Sequence, residues 1–183
     1  HSAHAVTLTG LGERSHLLHR GIDLETHIQD VLQALDAEEM NDAILVVHSY
    51  AGMLGTAVAD RRAHRLKHLV YLDAVVPKPG ETWSSTHASA TQKARIEAAA
   101  DSIDNSFPPP DASVFGLSAD LHEWVQRRQT PFIQAPPLHA CTPLSLTPLG
   151  GNGKVKWRLV SIAGVVKAGR SRGSGRNHQT KMV

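Results

Sequence analysis

Cysteine is nearly absent from this sequence, and Cys141 is the single one in 183 residues. One cysteine excludes an internal disulfide framework and fits a reducing compartment, so we expect a cytoplasmic protein. Long apolar runs are lacking too: none reaches the roughly 20 residues that cross a bilayer, and we expect no membrane partner. An initiator methionine and a basic-then-apolar leader are also missing, so we expect that this sequence begins inside a domain.

Acidic residues are absent after Glu123, which leaves the last sixty residues without a side-chain carboxylate. Residues 151–183 carry eight basic side chains, whereas residues 1–150 carry 11 basic and 17 acidic ones. A basic tail can attract nucleic acid or an anionic surface. Trp157 is the one aromatic residue of this tail, too little for a base-stacking platform, so nucleic acid is not the expected partner. The Arg, Gly and Ser bias instead predicts a disordered tail, of the kind that a changed reading frame would also produce.

Apolar periodicity predicts alternating strands and helices in the first half of the chain. Ile28, Val31, Leu32 and Leu35 recur at i, i+3, i+4 and i+7, the spacing of one helical face. The β-branched run 43–47 indicates a strand buried on both faces. The predicted elements, in chain order, are a strand at 4–9, a helix at 23–37, a strand at 43–47, a helix at 50–61 and a strand at 69–72. This β-α-β-α-β order predicts an α/β fold with a parallel sheet and right-handed crossovers.

Ser49 stands where the strand at 43–47 gives way to a helix. A strand followed by Ser-x-small-Gly and a helix is the context of a nucleophile elbow, whose tight turn lifts the serine Oγ out of the sheet. Ala51 and Gly52 supply the small residues, but Val47 stands two residues before the serine, where the pattern G-x-S-x-G has glycine. The alternative is a serine that simply caps a helix after a strand.

Four collinear segments carry a family resemblance. They are residues 7–16 (TLTGLGERSH), 26–31 (THIQDV), 47–53 (VHSYAGM) and 68–74 (HLVYLDA). Together they resemble bacterial α/β-hydrolases, most closely the small esterase-like members related to plant methylesterases and hydroxynitrile lyases. The resemblance implies a partial α/β-hydrolase fold, a parallel sheet with flanking helices, a remnant cap and an irregular C-terminal tail. The family's earlier strands and its last strands have no match, so the copy is expected to be incomplete.

The resemblance is specific up to about residue 80, weak to about residue 140, and absent beyond. It divides the chain into an α/β-hydrolase core segment with the elbow at 1–80, a cap-like or variable region at 81–140, and a basic, disordered tail at 141–183. Within the later regions the sequence predicts short helices at 91–100 and 121–128 and a strand-like patch at 159–166.

The resemblance also implies roles for individual residues. Ser49 would be the nucleophile, and the backbone N–H of Tyr50, at a helix N-terminus, would stabilise the oxyanion. Members of the family place an acid and then a histidine after the serine. Asp73, at the end of a predicted strand, is the best-placed acid. The alternative is that Asp73 has only a structural role, bonding the loop that follows. His139 is the candidate base, with His178 as the alternative.

Metal and cofactor sites are not expected. His16 with His19, and His64 with His68, have possible ligand spacing, but no cysteine or acidic partner completes either set. Scattered surface histidines account for the pattern equally well. We therefore predict neither a metal nor an organic cofactor.

These observations predict a hydrolase that cleaves a small carboxylic ester through an acyl-enzyme on Ser49, with a small-molecule ester as its partner. Impaired activity is expected, because the family's oxyanion loop and the segment that carries its histidine have no match here. A second hypothesis is a non-catalytic relative without a working triad. A third is a binding module that acts through the basic tail. The substrate and the oligomeric state are not predicted.

Overall fold

The computed structural model describes residues 2–78, 81, 83–86, 89–90, 94, 106–133 and 156–160. The helices within these ranges are α1 (Leu24–Ala37), α2 (Ala51–Arg61) and α3 (Ala119–Gln126). The strands are β1 (Ala43–Ser49), β2 (Leu66–Ala74), β3 (Ser106–Phe107), β4 (Phe132–Ile133) and β5 (Lys156–Val160). Short 3-10 helices cover Gly12–Leu17, Ala63–Arg65, Ser84–Thr86 and Ala112–Phe115. None of the helices in the described ranges is long and apolar enough to cross a membrane.

Strands β1, β2 and β5 form a parallel sheet in that spatial order, and β3 pairs with β4 in a separate antiparallel sheet. Helix α2 connects β1 to β2 and packs on both strands. This is the α/β architecture that the strand and helix alternation predicts, and the fold class is confirmed. The strand-like patch predicted at 159–166 overlaps β5 at residues 159–160, and its remainder, 161–166, lies outside the described residues. The division of the chain at residues 80 and 140 stays a prediction.

Three of the four predicted helices lie close to their expected positions, among them the helix predicted at 50–61, which is α2. The helix predicted at 23–37 is α1, and the helix predicted at 121–128 is α3, which begins two residues earlier at Ala119. The short helix predicted at 91–100 lies almost wholly outside the described residues.

Helix α1 begins at a capping box. The Asp23 carboxylate accepts a hydrogen bond from the Thr26 N–H at 2.8 Å, and the Thr26 hydroxyl accepts one from the Asp23 N–H at 3.3 Å. The buried residues of the helix are Leu24, His27, Ile28, Val31, Leu32 and Leu35. Their apolar members pack into one core with α2 and the sheet, and burying each such aliphatic side chain contributes roughly 1.5–3 kcal/mol.

Residues 4–9, predicted as a strand, form none in the structure. Side chains hold this segment instead of a strand ladder. The Thr9 N–H and hydroxyl donate to the Asp30 carboxylate at 2.6 and 2.8 Å. The Arg14 guanidinium donates to the Thr7 carbonyl at 2.9 Å. The strand prediction is therefore wrong, because an apolar pattern indicates burial, whereas a strand also requires a neighbouring strand for its backbone groups.

Helix α2 covers one face of the sheet. The most buried strand residues on this side are Val47, Leu69 and Tyr71, each at most 5% exposed. On the opposite side of β1, Ile44 and Val46 are 53% and 57% exposed. The prediction that the run 43–47 is buried on both faces is therefore wrong. The run is apolar on both sides, but a helix packs on only one of them within the described part of the chain.

Two glycines allow α2 to approach the sheet. A Cβ at Gly52 would overlap the backbone carbonyl oxygen of Val75, which cannot move aside. A Cβ at Gly55 would lie 2.6 Å from Cγ1 of Val47, so the valine occupies the space that a side chain at position 55 would need. The first contact is with backbone and the second with a side chain, and only the second can be relieved by another substitution.

Gly55→Ala is expected to lower the free energy of unfolding by about 1–3 kcal/mol, because it overpacks the contact with Val47. Val47→Ala removes the obstructing methyl groups, so the double variant should lose less stability than the two single changes added together. Urea unfolding of the parent, both single variants and the double variant measures this coupling. Additive losses would show that the two positions do not compete for the same space.

Ile44→Thr with Val46→Thr is expected to reduce self-association without lowering stability by more than about 0.5 kcal/mol, because both side chains are more than half exposed. Threonine keeps the β-branched shape that strands favour. Light scattering over a concentration series measures association. The control is Leu69→Thr on the covered face, which should unfold the protein. Unchanged association of the double variant would exclude the exposed face as its cause.

Candidate active site

Strand β1 ends at Ser49 in a strained turn. Ser49 has φ +51°, in the left-handed region that residues other than glycine rarely enter. Tyr50 returns to helical angles, φ −52° and ψ −37°, and α2 begins at Ala51. The predicted strand, turn and helix around Ser49 are confirmed. The alternative of a capping serine is wrong, because Tyr50 is the cap residue of α2 and no side chain caps the helix.

Val47 stands where the pattern G-x-S-x-G has glycine, and the turn forms in spite of it. Its side chain is buried, at 5% exposure, and lies against Gly55 of α2. The glycine missing from the strand is therefore balanced by a glycine in the helix that packs on it.

Strand β2 ends beside Ser49 with a second residue in the left-handed region. Asp73 has φ +45°, and the strand register places Ala74 opposite Ser49, with an irregularity between His48 and Ser49. The Val75 N–H donates to the Ser49 carbonyl at 3.0 Å. Ser49 and Asp73 therefore lie at the carboxyl ends of neighbouring parallel strands, the edge of an α/β sheet where ligand sites gather.

The surroundings of Asp73 and of the candidate bases differ. Asp73 is exposed, and no described residue forms a hydrogen bond or ion pair with its carboxylate, including those of the loop that follows. His139 and His178 lie outside the described residues and stay predictions. His48 is exposed next to Ser49. Within the described ranges, no three side chains of His, Cys, Asp or Glu group as metal ligands would.

The side chain of Tyr50 extends from the turn to helix α1. Its hydroxyl lies 3.1 Å from Nδ1 of His27, and the two rings meet edge to face at 5.9 Å. The Trp83 ring meets Tyr50 edge to face at 6.0 Å and Phe107 at 6.3 Å. A series of four rings thus connects α1, through the residue after Ser49, to strand β3. Burial raises the pKa of the Tyr50 hydroxyl above its usual value, so the hydroxyl stays protonated and can donate.

The contacts of His27 determine its tautomer. Nε2 lies 3.0 Å from the Thr9 carbonyl oxygen, which can only accept, so Nε2 carries the proton. Nδ1 of the neutral ring then accepts a hydrogen bond from the Tyr50 hydroxyl. Burial lowers the pKa of the His27 imidazole, because the charged form is poorly solvated there. The neutral ring, with Nδ1 as an acceptor, is therefore the form present near neutral pH.

The sequence predicts roles for Ser49, Tyr50 and Asp73 but none for His27 or Trp83. The sequence does contain one indication for His27: the residue lies beside Ile28 on the buried side of α1, where a histidine needs hydrogen-bond partners. Nothing in the sequence indicates that one of those partners is Tyr50.

Comparisons with known proteins agree with this geometry. The model of the alpha/beta hydrolase family matches residues 1–172. A carbendazim-hydrolysing esterase from Nocardioides sp. (strain SG-4G) is 41% identical, over 86% of this chain and 66% of its own length. An extracellular α/β-hydrolase from a Paenibacillus species has a similar fold, with a TM-score of 0.65, 16% identity, and coverage of 79% of this chain and 60% of its own.

The chain spans just under two thirds of the length of the Nocardioides esterase. Its parallel sheet, its helices and its strained serine turn lie within the segment that the family model covers. The family match extends over most of the 183 residues and continues to residue 172, so the expectation that the resemblance is absent beyond about residue 140 is wrong. On these grounds, the chain belongs to the α/β-hydrolase family.

Proposed function

We propose that this chain carries the nucleophile and one oxyanion donor of a serine hydrolase that cleaves a small carboxylic ester through an acyl-enzyme on Ser49. The observation that carries the proposal is the left-handed backbone of Ser49, φ +51°, between a parallel strand and a helix. A turn of this kind presents a serine hydroxyl to a substrate. The 41% identity to a protein named as an esterase supports the same reaction class.

In this mechanism the Ser49 Oγ attacks the ester carbonyl carbon, and its proton passes to a base. Negative charge develops on the carbonyl oxygen, where the Tyr50 N–H at the start of α2 donates a hydrogen bond. The tetrahedral intermediate collapses, the C–O bond to the alcohol breaks, and the alcohol leaves with the proton. Water then attacks the acyl group on Ser49, which releases the carboxylic acid and restores the hydroxyl.

Asp73 and a downstream histidine complete the proposal. Asp73 lies at the end of the strand next to Ser49, where its carboxylate would orient the base. His139 is the proposed base and His178 the alternative, both outside the described residues. An orienting carboxylate matters because it keeps the imidazole in the tautomer that accepts the serine proton.

We further propose that turnover is slow. Among the described residues, the Tyr50 N–H is the one donor that we assign, and loss of one oxyanion donor costs roughly 10²- to 10³-fold in rate. None of the described histidines forms a hydrogen bond with Ser49. A serine without a base is a neutral alcohol and a weak nucleophile. The rival hypothesis, a non-catalytic relative, differs in predicting no chemistry at Ser49 at all.

The proposed partner is a small-molecule ester, without a metal or an organic cofactor. The Nocardioides relative is named for carbendazim hydrolysis, so carbendazim belongs in the substrate panel beside p-nitrophenyl acetate. A cytoplasmic location also stays a prediction, which rests on the single Cys141.

A fluorophosphonate probe that reacts with activated serines tests the nucleophile. We expect a covalent adduct at Ser49, identified by peptide mass spectrometry, and none in Ser49→Ala, because the serine hydroxyl is the reacting group. Ser15→Ala is the control, since Ser15 is exposed and lies in the 3-10 helix before α1. Hydrolysis of p-nitrophenyl acetate should stay close to the Ser49→Ala rate, because an oxyanion hole with the Tyr50 N–H as its one donor would be slower by roughly 10²-fold or more.

The two measurements separate the parts of the proposal. No adduct, or an adduct at another serine, would contradict the nucleophile and favour the non-catalytic relative. Clear turnover that Ser49→Ala abolishes would support the esterase and contradict slow turnover.

Asp73→Asn tests the proposed acid, because asparagine tolerates the positive φ while it removes the charge. We expect adduct formation at Ser49 to slow by at least about tenfold if the carboxylate orients the base. Asp42→Asn is the matched control: Asp42 is exposed, has φ +52°, and precedes the other end of β1. Equal adduct rates in the two variants would assign Asp73 a structural role only.

A further inference from the structure

The residue that follows Ser49 is held by its side chain as well as by the helix it begins. The Tyr50 hydroxyl contacts His27 Nδ1 at 3.1 Å, and the Tyr50 ring packs edge to face against both His27 and Trp83. These contacts reach from the turn into the core, where His27 is 2% exposed. A reorientation of Tyr50 as a whole would therefore also displace its partly buried ring from these contacts.

His27 is itself held by a fixed acceptor. Its Nε2 donates to the Thr9 carbonyl at 3.0 Å. Thr9 is in turn bound to the Asp30 carboxylate through its N–H at 2.6 Å and its hydroxyl at 2.8 Å. The Arg14 guanidinium donates to the same carboxylate at 2.9 Å, and the Asp30 side chain is 9% exposed. Asp30, Thr9, His27 and Tyr50 thus form one continuous series of hydrogen bonds, which we call the Asp30–Tyr50 series.

We propose that His27 is a positioning residue of the Ser49 site, because through the Tyr50 hydroxyl it fixes the direction of the Tyr50 N–H. The inference rests on the proposed function, in which that N–H is the oxyanion donor. A left-handed serine relaxes unless its surroundings hold it, so the turn needs such an anchor. A donor stabilises the developing charge only when it points at the position the oxyanion will occupy, so a small rotation of this peptide slows the reaction.

An amide at position 27 can replace one ring nitrogen at a time. In His27→Asn the amide reaches as far as Nδ1, so its oxygen can accept from Tyr50 while the contact with Thr9 is lost. In His27→Gln the amide reaches as far as Nε2, so its nitrogen can donate to Thr9 while the contact with Tyr50 is lost. Both variants exchange a buried ring for a smaller amide, so we expect similar decreases in melting temperature and use them as a matched pair.

The rate of adduct formation at Ser49 should fall about tenfold in His27→Gln and stay within about twofold of the parent in His27→Asn. Tyr50→Phe should resemble His27→Gln, because it removes the hydroxyl and keeps the ring. A merely structural His27 predicts that reactivity follows melting temperature, with equal losses in the two His27 variants. Equal losses would overturn the proposal.

A second readout does not require Ser49 to react. Hydrogen exchange of the Tyr50 amide, measured by NMR on the full chain, should accelerate in His27→Gln and Tyr50→Phe but not in His27→Asn. This order without any adduct in the parent protein would support anchoring by His27 and refute the proposed function. Adduct formation at one rate in all variants, with unchanged amide exchange, would refute the anchoring and leave the proposed function standing.

Discussion

The first turn of α2 lies so close to the chain leaving β2 that position 52 has no room for a side chain. A Cβ on Gly52 would overlap the carbonyl oxygen of Val75. Val75 in turn donates its N–H to the Ser49 carbonyl at 3.0 Å, so both strand ends and the helix meet at one point. The Thr56 hydroxyl donates to the Gly52 carbonyl and contacts the Tyr71 hydroxyl, each at 2.7 Å, which fixes the helix on β2. With the helix start fixed in this way, the chain can leave β1 only by a sharp turn, and Ser49 takes the left-handed conformation that makes it.

The local sequence pattern predicts the helices and strands of this core. Residues far away in the sequence determine which strands pair and which faces are covered. The apolar spacing in α1 and the run in β1 each indicate the correct element, because periodicity reports which face of a segment is buried. The segment 4–9 has a similar apolar pattern, but no strand of the described residues pairs with it, and Asp30 and Arg14 bind its backbone. In the same way, the composition of β1 cannot reveal that Ile44 and Val46 are more than half exposed, with no helix of the described ranges packed on them. Strand pairing and the covering of a sheet face both depend on residues that are far away in the sequence.

The same distinction between local sequence pattern and distant contacts applies to the candidate site. The positions of Ser49 and Asp73 at one edge of the sheet are both predictable, because each stands at the end of an apolar strand and parallel strands end at a common edge. Val47 is a departure from the motif that becomes understandable only with Gly55 beside it. His27 escapes prediction because its partners lie 18 and 23 residues away, and a single histidine on an apolar helix face carries no indication of them.

The residues that hold the serine turn and the residues that would supply a base occupy different parts of the chain. The Asp30–Tyr50 series lies wholly within the segment up to Tyr50, and it contains none of the candidate bases. Both ring nitrogens of His27 are engaged, and burial lowers the pKa of its imidazole, so this histidine holds Tyr50 and does not take the Ser49 proton. The geometry of the Ser49 turn and the supply of a base are therefore separate properties. A well-formed turn at Ser49 is consequently compatible with slow turnover, because the contacts that maintain it do not depend on proton transfer.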